Sequence, residues 1–308
     1  MGTTYSVAIK SNDVDSNYLK KEFENILAKI NHEMSTYKKE SLISKFNSDS
    51  SIENFQLSSD FSYVIEKSFF YNDLSNGLFD ITVHPLYDLW GFQSKSLDSV
   101  EPTSNQVLNI LEFVGMDNLN FDASKMELSR VNPKTSIDLS AIAKGHAVDV
   151  IANYLEDLGY ESFLVDIGGE LRVASFDKTF WEIGIQKPDI NEIGSVSEVI
   201  NLRNKSIATS GNYSNFINYI NTGSSRSHIV NPKTGYPVLI QDGLIASATV
   251  ISSSCIDADA IATILMLLSF EDAINFVEKI VDTEAYLIFI ENGLFKTIET
   301  KGFDKFRY

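Results

Sequence analysis

The stretch Asp-Leu-Ser-Ala-Ile-Ala-Lys-Gly-His, residues 138–146, opens a helix-then-strand pattern, because an amphipathic helix begins within it and a buried strand follows that helix. Apolar residues recur at helical spacing up to Leu158, and Gly159 takes the position that commonly ends a helix. The compact apolar run Phe163–Ile167 predicts a buried strand that stops at two glycines. We expect this helix to be the longest in the chain.

The rest of the chain mixes helices and strands without strict alternation. Helical spacing is found in residues 19–34, 61–74, 107–114 and 259–268. Strand patterns are found in residues 180–186, 207–209, 228–230, 245–252, 285–290 and 294–298, the last two joined by an Asn-Gly turn. The Ser- and Asn-rich residues 44–59 are expected to form an exposed loop. This order favours an α+β fold with mixed sheets flanked by helices over a doubly wound sheet.

Length and composition describe an ordinary globular protein. The chain has 308 residues, 44% apolar and 22% charged, which excludes disordered, collagen-like and coiled-coil classes. No linker divides it, so we expect one domain over residues 1–308. The balance of 25 basic against 42 acidic residues gives a net charge of −17. A surface this negative repels phosphate backbones, so we expect no nucleic-acid partner, and a phosphate ligand would need local help from bases or a cation.

Several common catalytic motifs are absent from the sequence. It contains no G-x-G-x-x-G, no G-x-x-x-x-G-K-[ST], no H-E-x-x-H and no G-x-S-x-G. A Rossmann dehydrogenase, a P-loop NTPase, a zincin and an α/β-hydrolase are therefore improbable. The single cysteine, Cys255, can form neither an internal disulfide nor a cysteine-based zinc cluster.

Two groups of polar residues each allow two interpretations. Asp259 and Thr263 are four residues apart on one helix face, and their oxygen atoms suit a hard cation such as Mg²⁺. Alternatively, Asp259 is stabilised by the helix dipole near the helix N-terminus and Thr263 only packs against its neighbours. Lys144 lies near the start of a helix, where a positive charge is unfavourable, so we expect it to pair with a negatively charged group. That charge is either a phosphate or a nearby carboxylate.

Three further features are equally open. The two glycines 168 and 169 allow either close approach to a ligand or a plain tight turn. His228 begins a strand and is either structural or a general base. Tyr37 and Phe79 either stack on a flat ring or belong to the core.

Taken together and in this order, these signals resemble one family, the ApbE-type flavin transferases, which are FAD:protein FMN transferases. The matching motifs are Met-Gly-Thr (1–3), Ser-Thr-Tyr (35–37), Gly-Leu-Phe-Asp (77–80), Trp-Gly-Phe (90–92), Asp-Leu-Ser-Ala-Ile-Ala-Lys-Gly (138–145), Asp-Ile-Gly-Gly-Glu (166–170), Ser-Gly-Asn-Tyr (210–213), Ser-His-Ile (227–229) and Asp-Ala-Ile-Ala-Thr (259–263). The resemblance covers residues 1 to about 290.

The resemblance implies a reaction and a set of site residues. FAD would bind in a cleft between lobes with Mg²⁺ at its pyrophosphate, and FMN would pass to a threonine hydroxyl of an acceptor protein with release of AMP. The implied metal ligands are the Ala141 carbonyl, Asp259 and Thr263, and the implied catalytic base is His228. The implied flavin and adenosine contacts are Met1, Tyr37, Leu78, Phe79, Asp80, Asp138 and Lys144.

The resemblance also implies a setting. The acceptor would be a flavoprotein subunit of a sodium-pumping NADH:quinone reductase or a related redox complex. Family members are usually exported lipoproteins, so we expect a periplasmic or outer-face location with a lipid anchor, and a chain that begins just after a removed leader. The chain as given is expected to be soluble.

The sequence departs from the family pattern at three positions. Ser140 stands in place of the usual Gly, His146 in place of Tyr, and Asn231 in place of an Asp that would lie close to His228. Two other functions remain open: an FAD pyrophosphatase that uses water as acceptor, which no residue decides for or against, and a carrier that holds FAD without turnover, which Asn231 leaves possible. Self-modification at Thr249 is a remote third.

Overall fold

The seven-stranded sheet of the fold is antiparallel throughout, in a computed structural model that describes residues 2–92, 99–176, 178–189, 194–212 and 215–307. The chain forms two compact units. The first unit comprises Met1–Ala28, Ile142–Ser214 and Gln241–Tyr308, and the second comprises Lys29–Ala141 and Asn215–Ile240.

The α-helices are α1 (Ser16–Met34), α2 (Leu42–Ser48), α3 (Ser59–Leu74), α4 (His84–Trp90), α5 (Ser104–Leu111), α6 (Ala143–Asp157), α7 (Cys255–Leu265) and α8 (Phe270–Val277). The strands are β1 (Tyr5–Ile9), β2 (Phe55–Gln56), β3 (Leu119–Asp122), β4 (Glu127–Arg130), β5 (Phe163–Ile167), β6 (Glu170–Ala174), β7 (Trp181–Gln186), β8 (Val196–Leu202), β9 (Lys205–Gly211), β10 (Phe216–Asn218), β11 (Ser225–Val230), β12 (Pro237–Leu239), β13 (Ile245–Ser252), β14 (Glu284–Glu291) and β15 (Leu294–Glu299).

The large sheet organises the first unit. Its strand order is β1-β5-β6-β9-β13-β14-β15, and each neighbouring pair is antiparallel. Helices α6 and α7 pack on strands β5, β6, β9 and β13, and the β7–β8 ribbon contributes its apolar residues to a shared core with the sheet. The α+β class predicted from the sequence is confirmed.

Tight turns connect the sheet as the sequence predicts. Gly168 and Gly169 have φ of +67° and +103° and join β5 to β6 directly, because Ile167 pairs with Glu170 across the turn. Asn292 and Gly293 likewise have positive φ and join β14 to β15. Glycine tolerates this backbone region at no steric cost. The two glycines at 168 and 169 therefore form a plain tight turn, one of the two alternatives that the sequence left open.

The second unit contains two small antiparallel sheets, ordered β2-β4-β3 and β10-β11-β12. Its core includes Trp90, whose indole N–H donates to the carbonyl of Gly235 at 2.8 Å, and Tyr219, whose hydroxyl donates to the carbonyl of Trp90 at 2.8 Å. These bonds satisfy the polar ends of two buried aromatic side chains.

Two sequence expectations are wrong. Residues 44–59 are not one exposed loop, because Ser41 caps α2 and the helix buries Ile43 and Phe46 completely. Seven residues are too few to show a clear helical period. Helix α6 is also not the longest helix, since α6 has 15 residues and α1 has 19. In the part of the chain that is described, no helix has the length and apolarity needed to cross a membrane.

Candidate active site

Helices α6 and α7 cap each other. The backbone N–H of Gly145, in the first turn of α6, donates to Oδ2 of Asp259 at 2.9 Å. In return, the carboxylate of Asp149 on α6 accepts the N–H groups of Cys255 and Ile256, at 3.0 and 2.9 Å, at the start of α7. Because the first N–H groups of a helix lack intrahelical partners and carry partial positive charge, each carboxylate stabilises the helix it caps.

Gly145 makes this pairing of helices possible. A Cβ atom at position 145 would lie 2.4 Å from the carbonyl oxygen of Cys255, far inside contact distance. Cys255 is itself buried as a free thiol. The glycine therefore sets how closely the two helices approach, and with it the position of Asp259.

A buried charge cluster lies beside this helix pair. Nζ of Lys144 is 3.0 Å from Oε1 of Glu170 and 3.7 Å from Oδ1 of Asp259. The Glu170 and Asp259 residues are 3% and 2% exposed. The sequence left two partners open for Lys144, a phosphate or a nearby carboxylate, and the structure shows carboxylates.

The cluster shifts the pKa values of its members. Burial alone would lower the pKa of Lys144, but Asp259 and Glu170 together raise it above the ordinary lysine range, so the side chain stays an ammonium. Burial, opposed by Lys144, raises the pKa of Glu170 above its usual range. The Oε2 atom of Glu170 is buried and has no hydrogen-bond partner among the residues that the structure describes.

Asp259 and Thr263 present oxygen atoms on one face of α7, as their spacing predicts. Oγ1 of Thr263 lies 3.4 Å from Oγ of Ser210 on β9. Since Gly145 uses Oδ2 of Asp259, the other carboxylate oxygen and the two hydroxyls form a hard donor set that fits Mg²⁺ with several of its own waters. Among the described residues no group of three or more His, Cys, Asp or Glu side chains is arranged to hold a metal, so an ion here would depend on one carboxylate. Ala141, the third expected ligand, belongs to a turn in the second unit.

A second polar cluster forms around Asp138 in the second unit. Oδ1 of Asp138 accepts the N–H of Ser140 at 2.7 Å, and Oδ2 accepts the hydroxyl of Thr36 at 3.2 Å. Nδ1 of His84 lies 3.8 Å from the same Oδ2. Burial would raise the pKa of Asp138, but His84 and Ser140 hold it below its usual range, so Asp138 is an anion with three partners.

Tyr37 and residues 78–80 differ in what they expose. Tyr37 is 86% exposed, so its ring is available to a ligand, and Leu78 is half-buried. Phe79 is a core residue, 2% exposed and packed against Tyr71, and both its N–H and its carbonyl are bonded internally. Its side chain therefore lies in the core, one of the two alternatives that the sequence leaves open for this ring, and contact between Phe79 and FAD stays a prediction.

Asp80 also has an internal role. Its Oδ1 accepts the N–H of Thr82 at 2.7 Å and caps a short 3-10 helix, Ile81–Val83. The hydroxyl of Thr82 in turn accepts the N–H of Gly115 at 2.6 Å. Met1, the remaining expected flavin contact, lies outside the described residues.

His228 is oriented by the main chain. Its Nδ1 lies 3.1 Å from the carbonyl oxygen of Asn215, which can only accept. Nδ1 is therefore the N–H of the neutral ring, and Nε2 carries the lone pair that a base needs. Asn231 uses its Oδ1 to accept the N–H groups of Lys233 and Thr234, so it builds the turn after β11.

The sequence reasoning missed four residues that build these sites: Glu170, Ser210, His84 and Asn215. Glu170 had a usable signal, because a lysine at a helix start needs an anion and a glutamate follows the turn Gly168-Gly169. Ser210 belongs to a motif that carries the family resemblance, while His84 and Asn215 had no signal; only the fold brings the three to Thr263, Asp138 and His228.

Comparison with known proteins identifies the family. The family model described as "ApbE family" matches residues 1–287. The chain is 37% identical over 282 residues to the FAD:protein FMN transferase of Vibrio cholerae serotype O1, covering 90% of this chain and 82% of that one. It is 34% identical over 313 residues to the enzyme of the same name from Haemophilus influenzae, covering 99% and 89%.

Solved structures agree. The flavin transferase ApbE from Vibrio cholerae superposes with a TM-score of 0.86 at 34% identity, over 99% of this chain and 96% of that one. The apo form of the flavinyl transferase ApbE from Pseudomonas stutzeri also gives 0.86, at 29% identity, over 100% and 94%. Since the family model matches residues 1–287 and a solved ApbE structure shares the fold over 99% of the chain, this chain belongs to the ApbE family.

Proposed function

We propose that this protein is an FAD:protein FMN transferase that moves the FMN half of FAD to a threonine hydroxyl of an acceptor protein, with Mg²⁺ bound and with release of AMP. Relatives 30–37% identical over most of the chain carry that enzyme name. The observation that carries the proposal is the oxygen face of α7, where Asp259 and Thr263 lie together beside the ammonium of Lys144.

Asp259 and Thr263 would hold the metal, with the carbonyl of Ala141 as the ligand that the family resemblance adds. Oδ1 of Asp259 is suited to this role because the bond from Gly145 to Oδ2 fixes the carboxylate plane. Bound Mg²⁺ would supply charge neutralisation at the pyrophosphate. For an acidic protein with a net charge of −17, such neutralisation is what makes binding of an anionic dinucleotide possible.

The residues of the second unit would bind the organic parts of FAD. The exposed ring of Tyr37 offers a stacking surface, and Leu78 offers partly buried apolar contact. Asp138 is a preorganised anion that accepts hydrogen bonds and could accept one from a ribose hydroxyl or a ring N–H. Asp80 and Phe79 would hold the loop that carries Leu78.

His228 would act as the general base. Its Nε2 would take the proton of the threonine hydroxyl as the oxygen attacks the phosphorus of the FMN moiety. A new P–O bond to threonine forms, the P–O bond to the bridging oxygen breaks, and AMP leaves with that oxygen. The reaction needs no covalent intermediate on this chain, only positioning, a base and charge neutralisation.

The acceptor and location follow from the family resemblance. We propose a flavoprotein subunit of a sodium-pumping NADH:quinone reductase or a related redox complex as acceptor. A periplasmic or outer-face location with a lipid anchor belongs to the same proposal, as does the reading of residues 1–308 as one functional domain.

The proposal is tested by incubating the protein with FAD, Mg²⁺ and the flavin-carrying domain of such a subunit, followed by intact-mass and AMP measurements. A mass gain of one FMN on the acceptor together with AMP, both lost in EDTA, supports the transferase. Free FMN and AMP with unmodified acceptor indicate a pyrophosphatase instead. FAD that stays bound and intact indicates a carrier.

A further inference from the structure

Lys144 is the cationic partner of Asp259, the carboxylate proposed to bind the metal. Its ammonium lies 3.7 Å from Oδ1 of Asp259, the oxygen that Gly145 leaves available. The Lys144 side chain is 29% exposed, while the side chains of Asp259 and Glu170 are 3% and 5% exposed. A carboxylate so deeply buried is costly without a positive partner, and Lys144 is that partner.

Glu170 gives the ammonium a second place to bind. Its Oε1 is closer to Nζ than Asp259 is, at 3.0 Å against 3.7 Å. Its Oε2 is buried and accepts no hydrogen bond from any residue in the described part of the chain, so Glu170 can accept from a further donor of an ammonium. Lys144 can therefore leave Asp259 without becoming an unpaired buried charge.

We propose that Lys144 is an internal counter-ion which a divalent cation displaces from Asp259, and that Glu170 is the positioning residue that retains the ammonium after displacement. The inference rests on the proposed magnesium site. Two cations cannot share Oδ1 of Asp259 closely, because each repels the other at short range. Metal binding and the Lys144–Asp259 contact are therefore competitive, and the affinity for Mg²⁺ is lower than the same oxygen atoms would give without the ammonium.

A charge-matched variant separates displacement from simple net charge. Lys144→Met with Glu170→Gln removes one positive and one negative charge and keeps the side-chain volumes. Titration calorimetry of Mg²⁺ into the EDTA-treated full chain, without FAD, is done at several pH values up to 9. Burial raises the pKa of Glu170, and wild type and variant carry equal charge only where Glu170 is ionised. We expect the double variant to bind Mg²⁺ roughly tenfold more tightly than wild type. Equal or weaker binding overturns the proposal.

Two single variants refine the result. Glu170→Gln leaves the ammonium with Asp259 as its one charged partner in the cluster, so Mg²⁺ binding should weaken several-fold. Lys205→Met breaks another lysine–carboxylate pair of the first unit, the one with Asp282, and should leave Mg²⁺ affinity unchanged. A merely structural role for the cluster would lower the thermal stability of the variants without separating their affinities in this way.

A measurement on the wild-type protein covers the case in which the variants fail to fold. Crystals grown with EDTA and then soaked in Mn²⁺ should show Nζ of Lys144 moved away from Asp259 while it stays on Glu170. An ammonium that stays on Asp259 with the metal bound contradicts displacement. Wild type that binds Mg²⁺ without this movement refutes the displacement alone, whereas wild type that binds no divalent cation at all refutes the metal site together with it.

Discussion

Oδ2 of Asp259 accepts the backbone N–H of Gly145 at 2.9 Å, so the residue proposed to bind the metal is also the cap of helix α6. One carboxylate thus combines a structural and a chemical role. The cap fixes the carboxylate before any ligand arrives, which is the preorganisation that a metal site needs. It also means that removing the whole side chain would disturb the fold and the chemistry at once.

Asp259→Asn separates the two roles. The amide oxygen can still accept the N–H of Gly145, but the negative charge that favours the metal is gone. We expect FMN transfer to fall by about a hundredfold or more, with a helical circular-dichroism signal close to that of wild type. Transfer at the wild-type rate in Mg²⁺ would refute the metal assignment.

Asp257→Asn is the matched control for that variant. Asp257 lies on the same helix, two residues earlier, where it belongs to the N-terminal capping turn with Ser254. The same chemical change there should lower stability by about 1 kcal/mol through the cap and dipole, while transfer stays near the wild-type rate. A comparable loss of transfer in both variants would point to helix damage rather than to a lost ligand.

Gly145→Ala tests the close approach of α6 and α7. In an ordinary helix this substitution stabilises the protein, because glycine costs up to about 1 kcal/mol relative to alanine. Here the added Cβ would lie 2.4 Å from the Cys255 carbonyl oxygen, so we expect a loss of about 2 kcal/mol or more of unfolding free energy in urea titrations. A stabilised variant would contradict the described contact.

His228→Ala tests the base. Removing the imidazole should slow transfer by about 10²–10⁴-fold, the usual contribution of a general base, while FAD affinity measured by fluorescence stays within about twofold. Asn231→Asp serves as the companion variant. Because Asn231 binds the turn through Oδ1, which aspartate can also do, we expect little change in transfer. An unchanged rate in His228→Ala removes its role as base.

The pKa of Asp80 predicts a pH dependence of stability. Burial raises this pKa to about 6, so the folded protein holds a proton that the unfolded chain releases at lower pH. The favourable contribution of protonated Asp80 to the free energy of unfolding is therefore fully present below its ordinary pKa of 3.8 and is lost as the pH rises through 6. The side chain of Asp80→Asn cannot titrate, so between pH 4 and 7 the free energy of unfolding should fall less in this variant than in wild type. The difference between the two proteins should be up to about 3 kcal/mol in urea titrations without FAD. Parallel pH curves for the two proteins would contradict the shift.

Local patterns sufficed for much of the fold. The spacing of apolar residues in α1, α3 and α6 and the turn residues Asn292 and Gly293 predicted elements that the structure contains. Helix α2 was missed because seven residues with two buried side chains carry little periodicity. The α+β class followed from the order of elements, but the pairing of β9 between β6 and β13 is a long-range property that no local pattern encodes.

The candidate site divides in the same way. Asp259 and Thr263 share a helix face because of their spacing, so the sequence alone could predict their neighbourhood. The partners of Lys144 could be predicted only as a class, because the helix start called for an anion without naming Glu170. The bond between His228 and Asn215 joins residues 13 apart across the pairing of β10 with β11, which only the folded structure shows.

The most direct test of the central claim is the stoichiometry of the reaction. Intact masses of the acceptor domain and free AMP are followed over the same time course, with FAD and Mg²⁺, for wild type and Asp259→Asn. The proposed function predicts one AMP released for each FMN gained by the acceptor, and no gain when the acceptor threonine is replaced by valine. With Asp259→Asn, both products should form about a hundredfold more slowly or not at all. AMP released while the acceptor mass stays unchanged would contradict it and identify a hydrolase.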